Sequence, residues 1–119
     1  MRAASLALLL ATPALADDLT CDATGGCNNR LECVQVDETF GYRENADGTV
    51  AFGWTEGPTF TAIPMRHGGM TTATATEGPD TIHTLVLGSD LTGIVSVSAM
   101  IEGKLFAAME TLTCRKAAP

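Results

Sequence analysis

Four cysteines offer the most distinctive chemistry in this sequence, and three of them stand in the short stretch CDATGGCNNRLEC. Five residues separate Cys21 from Cys27 and Cys27 from Cys33, and Cys114 lies close to the end of the chain. Structural zinc sites favour ligands roughly two to four residues apart, and a thioredoxin-like redox pair requires Cys-x-x-Cys. The spacing fits neither chemistry, and it predicts two structural disulfides.

The pairing of the cysteines stays open from sequence alone, because four cysteines allow three connectivities. We favour Cys21–Cys27 together with Cys33–Cys114. The segment Thr24-Gly25-Gly26 would let the chain turn back locally. The stretches LECVQV and ETLTC have the pattern of a first and a last strand, which a long-range disulfide would join.

Met65, His67 and Met70 form a second group, in the stretch MRHGGM. Thioether and imidazole groups are soft ligands that suit Cu(I), and two glycines would let the loop wrap around an ion. The alternative is an ordinary His-Gly-Gly turn between two strands. His83 could join His67 in a metal site or serve as a general base, although a single histidine on a strand is more often structural.

Five of the six aromatic residues stand within a short part of the chain. They could form a core, because aromatic side chains dominate buried area and pair across strands. They could also line a barrel mouth or an exposed patch that binds a ligand or a partner. These residues are Phe40, Tyr42, Phe52, Trp54 and Phe60.

Support for catalysis is weak. None of Ser89, Ser96 and Ser98 lies in the Gly-x-Ser-x-Gly arrangement of a nucleophile elbow. The acidic residues are scattered over turns, as on a solvated face, and NADGT lacks the remaining ligands of a calcium loop. We therefore expect a binding protein without a cofactor rather than an enzyme.

The elements that must position these residues are β-strands. From residue 31 onward, runs rich in valine, threonine and isoleucine alternate with turn sequences such as NADG, TEGP, HGG and EGPD. This pattern is typical of an all-β antiparallel domain, and we expect a small meander that closes into a barrel, with a sandwich as the alternative. KLFAAMETL could also form a helix, but its position after the Glu102-Gly103 turn favours a strand.

The hairpin around NADG allows a prediction at the level of single residues. A three-residue loop, Ala46-Asp47-Gly48, with a left-handed glycine is a common hairpin connection. That loop would place Tyr42 opposite Phe52 and Phe40 opposite Trp54, with all four rings on one face of the hairpin.

The first sixteen residues have the features of a secretory signal peptide. Arg2 is followed by an apolar run over residues 6–11 and by the small-residue pattern Ala14-Leu15-Ala16. The run is far shorter than the roughly 20 residues of a membrane-spanning helix. We expect cleavage after Ala16, one domain over residues 17–119 without a membrane span, and a periplasmic or secreted location, where disulfides persist.

The chain is acidic, with fourteen acidic and seven basic residues. One basic residue lies in the expected leader, so the mature chain would carry a net charge of −8. Like charges repel, which disfavours nucleic acid and anionic membranes as partners. A cationic partner would suit this charge, and we expect a monomer.

In its leader, its CDATGGCNNRLEC and its closing TLTC, the chain resembles small cysteine-containing exported β-proteins of Gram-negative bacteria. The plan is also similar to that of periplasmic inhibitors of c-type lysozyme, which are small β-barrels whose last strand is bridged near the start. That family carries a Ser-Gly-x-x-Tyr loop. The loop is absent from this sequence, so no site residue is carried over.

The leading hypothesis is a non-enzymatic binding module that presents a rigid β surface to a protein or to a small apolar ligand. A copper- or metal-handling protein that uses Met65, His67 and Met70 is the first alternative. A lysozyme-inhibitor-like envelope protein is the second.

Overall fold

The computed structural model describes residues 18–117. The expected leader over residues 1–16 and its cleavage site lie outside this part of the chain. Within residues 18–117 no helix is long and apolar enough to cross a membrane.

Nine strands account for most of the described chain and form one antiparallel sheet, which confirms the all-β prediction. They are β1 (Asp18–Asn28), β2 (Cys33–Glu44), β3 (Val50–Trp54), β4 (Phe60–Ala62), β5 (Met65–His67), β6 (Met70–Glu77), β7 (Thr81–Gly88), β8 (Thr92–Ile101) and β9 (Lys104–Lys116). Their order across the sheet is β4-β3-β2-β1-β9-β8-β7-β6-β5. The first and last strands are therefore neighbours at the centre, and KLFAAMETL lies in β9.

The sheet curls into a half-barrel, so the expectation of a closed barrel is wrong. The edge strands β4 and β5 have three residues each and are joined by Ile63-Pro64. β4 packs against β6, but no ladder of backbone hydrogen bonds joins the two sheet edges within residues 18–117. Proline has no N–H to donate, and such short edge strands offer few groups for the pairing that closure requires.

The core lies on the concave side of the half-barrel. Side chains alternate between the two faces of a strand, and the inward residues of β2, β3 and β7 meet there. Phe40, Phe52 and Leu85 are almost completely buried. The rings of Phe40 and Trp54 meet edge-on, with their centroids 5.0 Å apart. Aromatic packing between the β2–β3 hairpin and the facing strands therefore organises the core.

Both disulfides link residues that lie directly opposite each other on neighbouring strands. Cys21 of β1 is bonded to Cys114 of β9, with their Cα atoms 3.9 Å apart. Cys27 of β1 is bonded to Cys33 of β2, with their Cα atoms 4.0 Å apart. The presence of two disulfides is confirmed, and two such bonds are typical of proteins from an oxidising compartment.

The favoured pairing of Cys21 with Cys27 and of Cys33 with Cys114 is wrong. The segment Thr24-Gly25-Gly26 does not turn the chain back; it continues β1 through a β-bulge between Ala23 and Gly25. The reversal comes later, at residues 29–32, and it brings Cys33 back alongside Cys27. Glycines in a strand mark a bulge as readily as a turn, and the prediction read them as a turn.

The register of the β2–β3 hairpin is confirmed residue by residue. Phe40 lies opposite Trp54 and Tyr42 lies opposite Phe52. Gly48 has a φ of +92°, in the left-handed region that the three-residue loop requires.

Candidate functional site

The outer edge of β2 is open beyond its contact with β3. β3 ends at Trp54, opposite Phe40, whereas β2 begins at Cys33. Over residues 33–38, β2 pairs with β1 on one side, and no other described strand pairs with its second side. We name these six residues the open edge. An unpaired edge of this kind is a template for pairing with another chain.

Main-chain groups of the open edge point outward at alternate positions. Asn28 donates its N–H to the carbonyl of Glu32 at 3.0 Å, so the main chain of Glu32 faces β1. Because main-chain groups alternate between the two sides of a strand, those of Cys33 and Gln35 face away from β1. An incoming strand would therefore find N–H and C=O groups at both residues.

A covalent bond holds the open edge in place. The Cys27–Cys33 disulfide joins the first residue of the open edge to β1. Val34, the next residue, is 65% exposed on the concave side. Because the disulfide already fixes this edge, binding would not have to order it, and an incoming strand would also bury the exposed valine.

A cavity of about 340 Å³ lies where the open edge meets the loop after β3. The loop is held there because Thr55 donates its N–H to the carbonyl of Thr39 at 2.9 Å. Three carboxylates and an indole ring line the cavity, and none of its described lining residues is a lysine or an arginine. The lining residues are Asp37, Glu38, Thr39, Trp54, Thr55 and Glu56. Carboxylates beside an aromatic face form a surface that attracts a cation.

Glu38 of β2 and Glu110 of β9 come together across β1, on the concave side. Glu38 lies opposite Ala23, and Glu110 lies opposite Gly26. Glycine is needed at position 26, because a Cβ there would lie 2.7 Å from Cγ of Glu110. The missing side chain lets Glu110 lean across β1 towards Glu38.

Glu110 lies close enough to Glu38 for the two carboxyl groups to interact by charge and by a hydrogen bond. Burial, the charge of Glu38 and a hydrogen bond with Glu38 together raise the pKa of Glu110 from 4.5 to about 7, and burial is the largest of these causes. Oε1 of Glu110 is buried and has no hydrogen-bond partner among the described residues. We name Glu38 and Glu110 the carboxyl pair.

A smaller cavity of about 110 Å³ adjoins the carboxyl pair and is lined by Trp54, His83 and Glu110 among others. Nε2 of His83 lies 2.8 Å from Oε1 of Glu77. The His83 ring stacks on Phe60, with the centroids 4.2 Å apart. His83 is thus held by packing and by a carboxylate, and it forms a wall of the cavity.

The five aromatic candidates divide into a buried and a half-buried set. Phe40, Tyr42 and Phe52 are buried, whereas Trp54 and Phe60 are half-buried. Trp54 borders both cavities described above. A binding role for the whole group stays a prediction, and Trp54 is the member best placed to contact a ligand.

The register brings the three soft-ligand candidates to one face of the β5–β6 hairpin. His67 lies opposite Met70, and Met65 precedes His67 by two residues on the same strand. All three are exposed, Met65 most of all at 73%. His83 faces the opposite, concave side of the sheet, so it does not join His67. Among residues 18–117, no three His, Cys, Asp or Glu side chains are grouped in a way that could hold a metal ion.

A third and larger cavity, of about 530 Å³, lies at the far rim of the half-barrel. Oε2 of Glu44 accepts hydrogen bonds from the hydroxyl of Tyr42 at 3.0 Å and from Nη2 of Arg66 at 3.2 Å. Burial, followed by the bond to Glu44, raises the pKa of Tyr42 to about 12. Glu44 and Arg66 satisfy each other here, and Arg66 also donates to Thr71 at 2.9 Å. These groups tie β5 to β2 rather than aim at a ligand.

The open edge and the carboxyl pair were not singled out from the sequence. The sequence contains a signal for the pair. Glu38 stands between Val36 and Phe40 among the inward-facing residues of β2. Glu110 stands between Ala108 and Leu112 among those of β9. An acid in an apolar series is unusual. Its partner could not be named without the strand order.

Comparison with known proteins adds no relative, because no family model, curated protein or solved structure matches this chain.

Proposed function

We propose that this chain is a non-enzymatic binding module, exported to the periplasm or beyond, that binds an extended segment of a partner protein as an added strand. The observation that carries the proposal is the pairing of residues 33–38 with β1 alone. In this mode of recognition, main-chain hydrogen bonds supply affinity and side-chain pockets supply specificity. The outward groups of Cys33 and Gln35 supply the bonds, and the cavity beside Trp54 supplies the pocket.

The two outer strands of the sheet are poorer places for an added strand. β4 and β5 have three residues each, and Pro64 stands between them. Short strands and proline are common devices that block pairing at a sheet edge. The open edge is twice as long as either of them and contains no proline.

Charge favours a different protein over a second copy as the occupant. Glu32, Asp37 and Glu38 lie at or beside the open edge and are exposed. Two copies paired through this edge would bring like charges together, which disfavours association. This arrangement supports the expected monomeric state and a partner of opposite charge.

The test is a titration of isotope-labelled, oxidised protein with the peptide Ac-Val-Gln-Val-Gln-Val-Gln-amide, followed by NMR. We expect chemical-shift changes to concentrate on residues 33–39. Gln35→Pro removes an outward N–H without removing a bond to β1, so it should abolish the changes. Gln35→Ala keeps that N–H and should preserve them. Changes confined to β4 or β5, or equal binding by Gln35→Pro, would contradict the proposal.

A soft-metal site at Met65, His67 and Met70 is a second candidate function. The observation that favours it is the register, which places His67 opposite Met70 and Met65 on the same face. Thioether and imidazole ligands suit Cu(I). An inhibitor-like role towards a cationic enzyme is a third candidate, and it would use the open edge described above.

A further inference from the structure

We infer that the segment bound at the open edge carries a lysine or arginine, whose cationic group lies between Trp54 and the carboxyl pair. This inference rests on the proposed function, because it names the chemistry of the segment that the open edge would take. It adds a specificity site and a dependence on pH.

Geometry brings the required groups together. Glu38 belongs both to the carboxyl pair and to the lining of the cavity of about 340 Å³ at the open edge. Glu110 lines the smaller cavity, and Trp54 lines both. A side chain that enters from the open edge would therefore pass the indole face and reach the carboxyl pair. Cation–π contact and carboxylate pairing both favour a positive group there.

The buried, unpartnered Oε1 of Glu110 gives an independent reason to expect a donor at this position. A buried acceptor without a hydrogen bond costs free energy. An ammonium has three N–H donors and a guanidinium has five, so either could serve Glu110 and Glu38 together. A neutral or acidic side chain would leave the acceptor without a charged donor.

The charged groups around the carboxyl pair are almost all acidic. Asp37 on β2 and Glu56 on the loop after β3 line the cavity at the open edge. On the far wall, His83 of β7 is engaged by Glu77 of β6 at 2.8 Å. No lysine or arginine is among the lining residues of the two cavities in the described chain. The cation would thus have to come from the partner.

The proton balance follows from the state of Glu110. Below its raised pKa, about 7, Glu110 holds a proton. The incoming cation favours the ionised carboxylate of Glu110, so the carboxyl O–H bond breaks and the proton passes to water. Binding therefore releases a proton near neutral pH and strengthens as the pH rises.

The test compares Ac-Val-Lys-Val-Lys-Val-Lys-amide with its glutamine counterpart by titration calorimetry of the oxidised protein. The lysine peptide should bind at least about tenfold more tightly at about pH 8 than at about pH 5.5, whereas the glutamine peptide should show no such change. Buffers of different ionisation enthalpy should report the released proton. Glu110→Gln should abolish the release, while Glu56→Gln, which removes a neighbouring charge outside the pair, should weaken binding and keep the release.

The outcomes separate this inference from the proposed function. Equal binding of both peptides at both pH values, lost in Gln35→Pro, would overturn the cation site and leave strand addition intact. Absence of binding by either peptide at the open edge would overturn strand addition itself. Proton release that survives in Glu110→Gln would also overturn the inference, because the proton would then come from another group.

Discussion

Trp54, the last residue of β3, pairs with Phe40 in the middle of β2, and Thr55 still bonds to Thr39 next to it. Over residues 33–38, no other described strand pairs with the second side of β2. The pair thus marks the boundary between a closed, aromatic part of the half-barrel and an open part. Phe40 is buried, while Trp54 is half-buried and borders both cavities of the candidate site. One cross-strand contact therefore joins the core to the candidate site.

The two disulfides should differ in their contribution to stability. Cys21 and Cys114 are 93 residues apart in sequence, whereas Cys27 and Cys33 are 6 apart. A cross-link that closes a longer loop restricts the unfolded chain more. The expected stabilisation is about 4–5 kcal/mol for Cys21–Cys114 and about 2 kcal/mol for Cys27–Cys33. Urea denaturation of the two double-alanine variants should show the larger loss without Cys21–Cys114. Equal losses would contradict this reasoning, and peptide mapping under non-reducing conditions checks the pairing itself.

Truncation of single aromatic residues should distinguish those that stabilise the core from those that bind the partner. Phe52 is 2% exposed, so Phe52→Ala should lower the free energy of unfolding by about 3–5 kcal/mol. Trp54→Ala should lower the free energy of unfolding less, because the ring is half-buried. The same variant should weaken the binding of the lysine peptide. Phe52→Leu serves as the milder variant if the alanine protein does not fold. A greater loss of stability from Trp54→Ala would mean that Trp54 belongs to the core.

Local chemistry made part of this fold predictable. The turn residues of NADG and the alternation of the flanking aromatics together determined the register of Phe40 with Trp54, because both signals act within one hairpin. The β-bulge at Gly25 was not predictable from the same kind of signal. Glycine permits both a turn and a bulge, and only the pairing of β1 with β2 and β9 distinguishes them.

Long-range features were beyond the sequence for a related reason. Closure of the barrel depends on whether β4 and β5 pair at the two ends of the sheet, and their sequences are too short to specify it. The carboxyl pair depends on β1 lying between β2 and β9. Neither Glu38 nor Glu110 carries information about that neighbour in its own segment.

The stability of the protein should respond to pH through Glu110. Burial, together with the neighbouring Glu38, raises its pKa to about 7, so the folded state favours the neutral acid. The stabilising contribution is present at acid pH and is lost as the pH rises through about 7. Glu110→Gln should therefore raise the melting temperature at about pH 8 by a few degrees and change it little at about pH 5. Thermal melts followed by circular dichroism measure this, with Glu56→Gln as the control. If Glu110→Gln changed the melting temperature by the same amount at the two pH values, the raised pKa of Glu110 would be contradicted.

The soft-metal hypothesis makes its own prediction. If Met65, His67 and Met70 bind Cu(I), the oxidised protein should compete with a copper-specific chelator, and Met65→Leu should lose at least about tenfold in affinity. Met100→Leu replaces another exposed methionine outside the group and should not change it. Identical weak affinity in all three proteins would exclude the site.

Amide hydrogen exchange of the free, oxidised protein shows directly whether the outer side of β2 is open. If the outer side of β2 is open, the Gln35 amide should exchange far faster than the Phe40 amide, and it should become protected when the lysine peptide binds. A Gln35 amide already protected in the free protein would show that the edge is covered, and strand addition at the open edge would then be excluded.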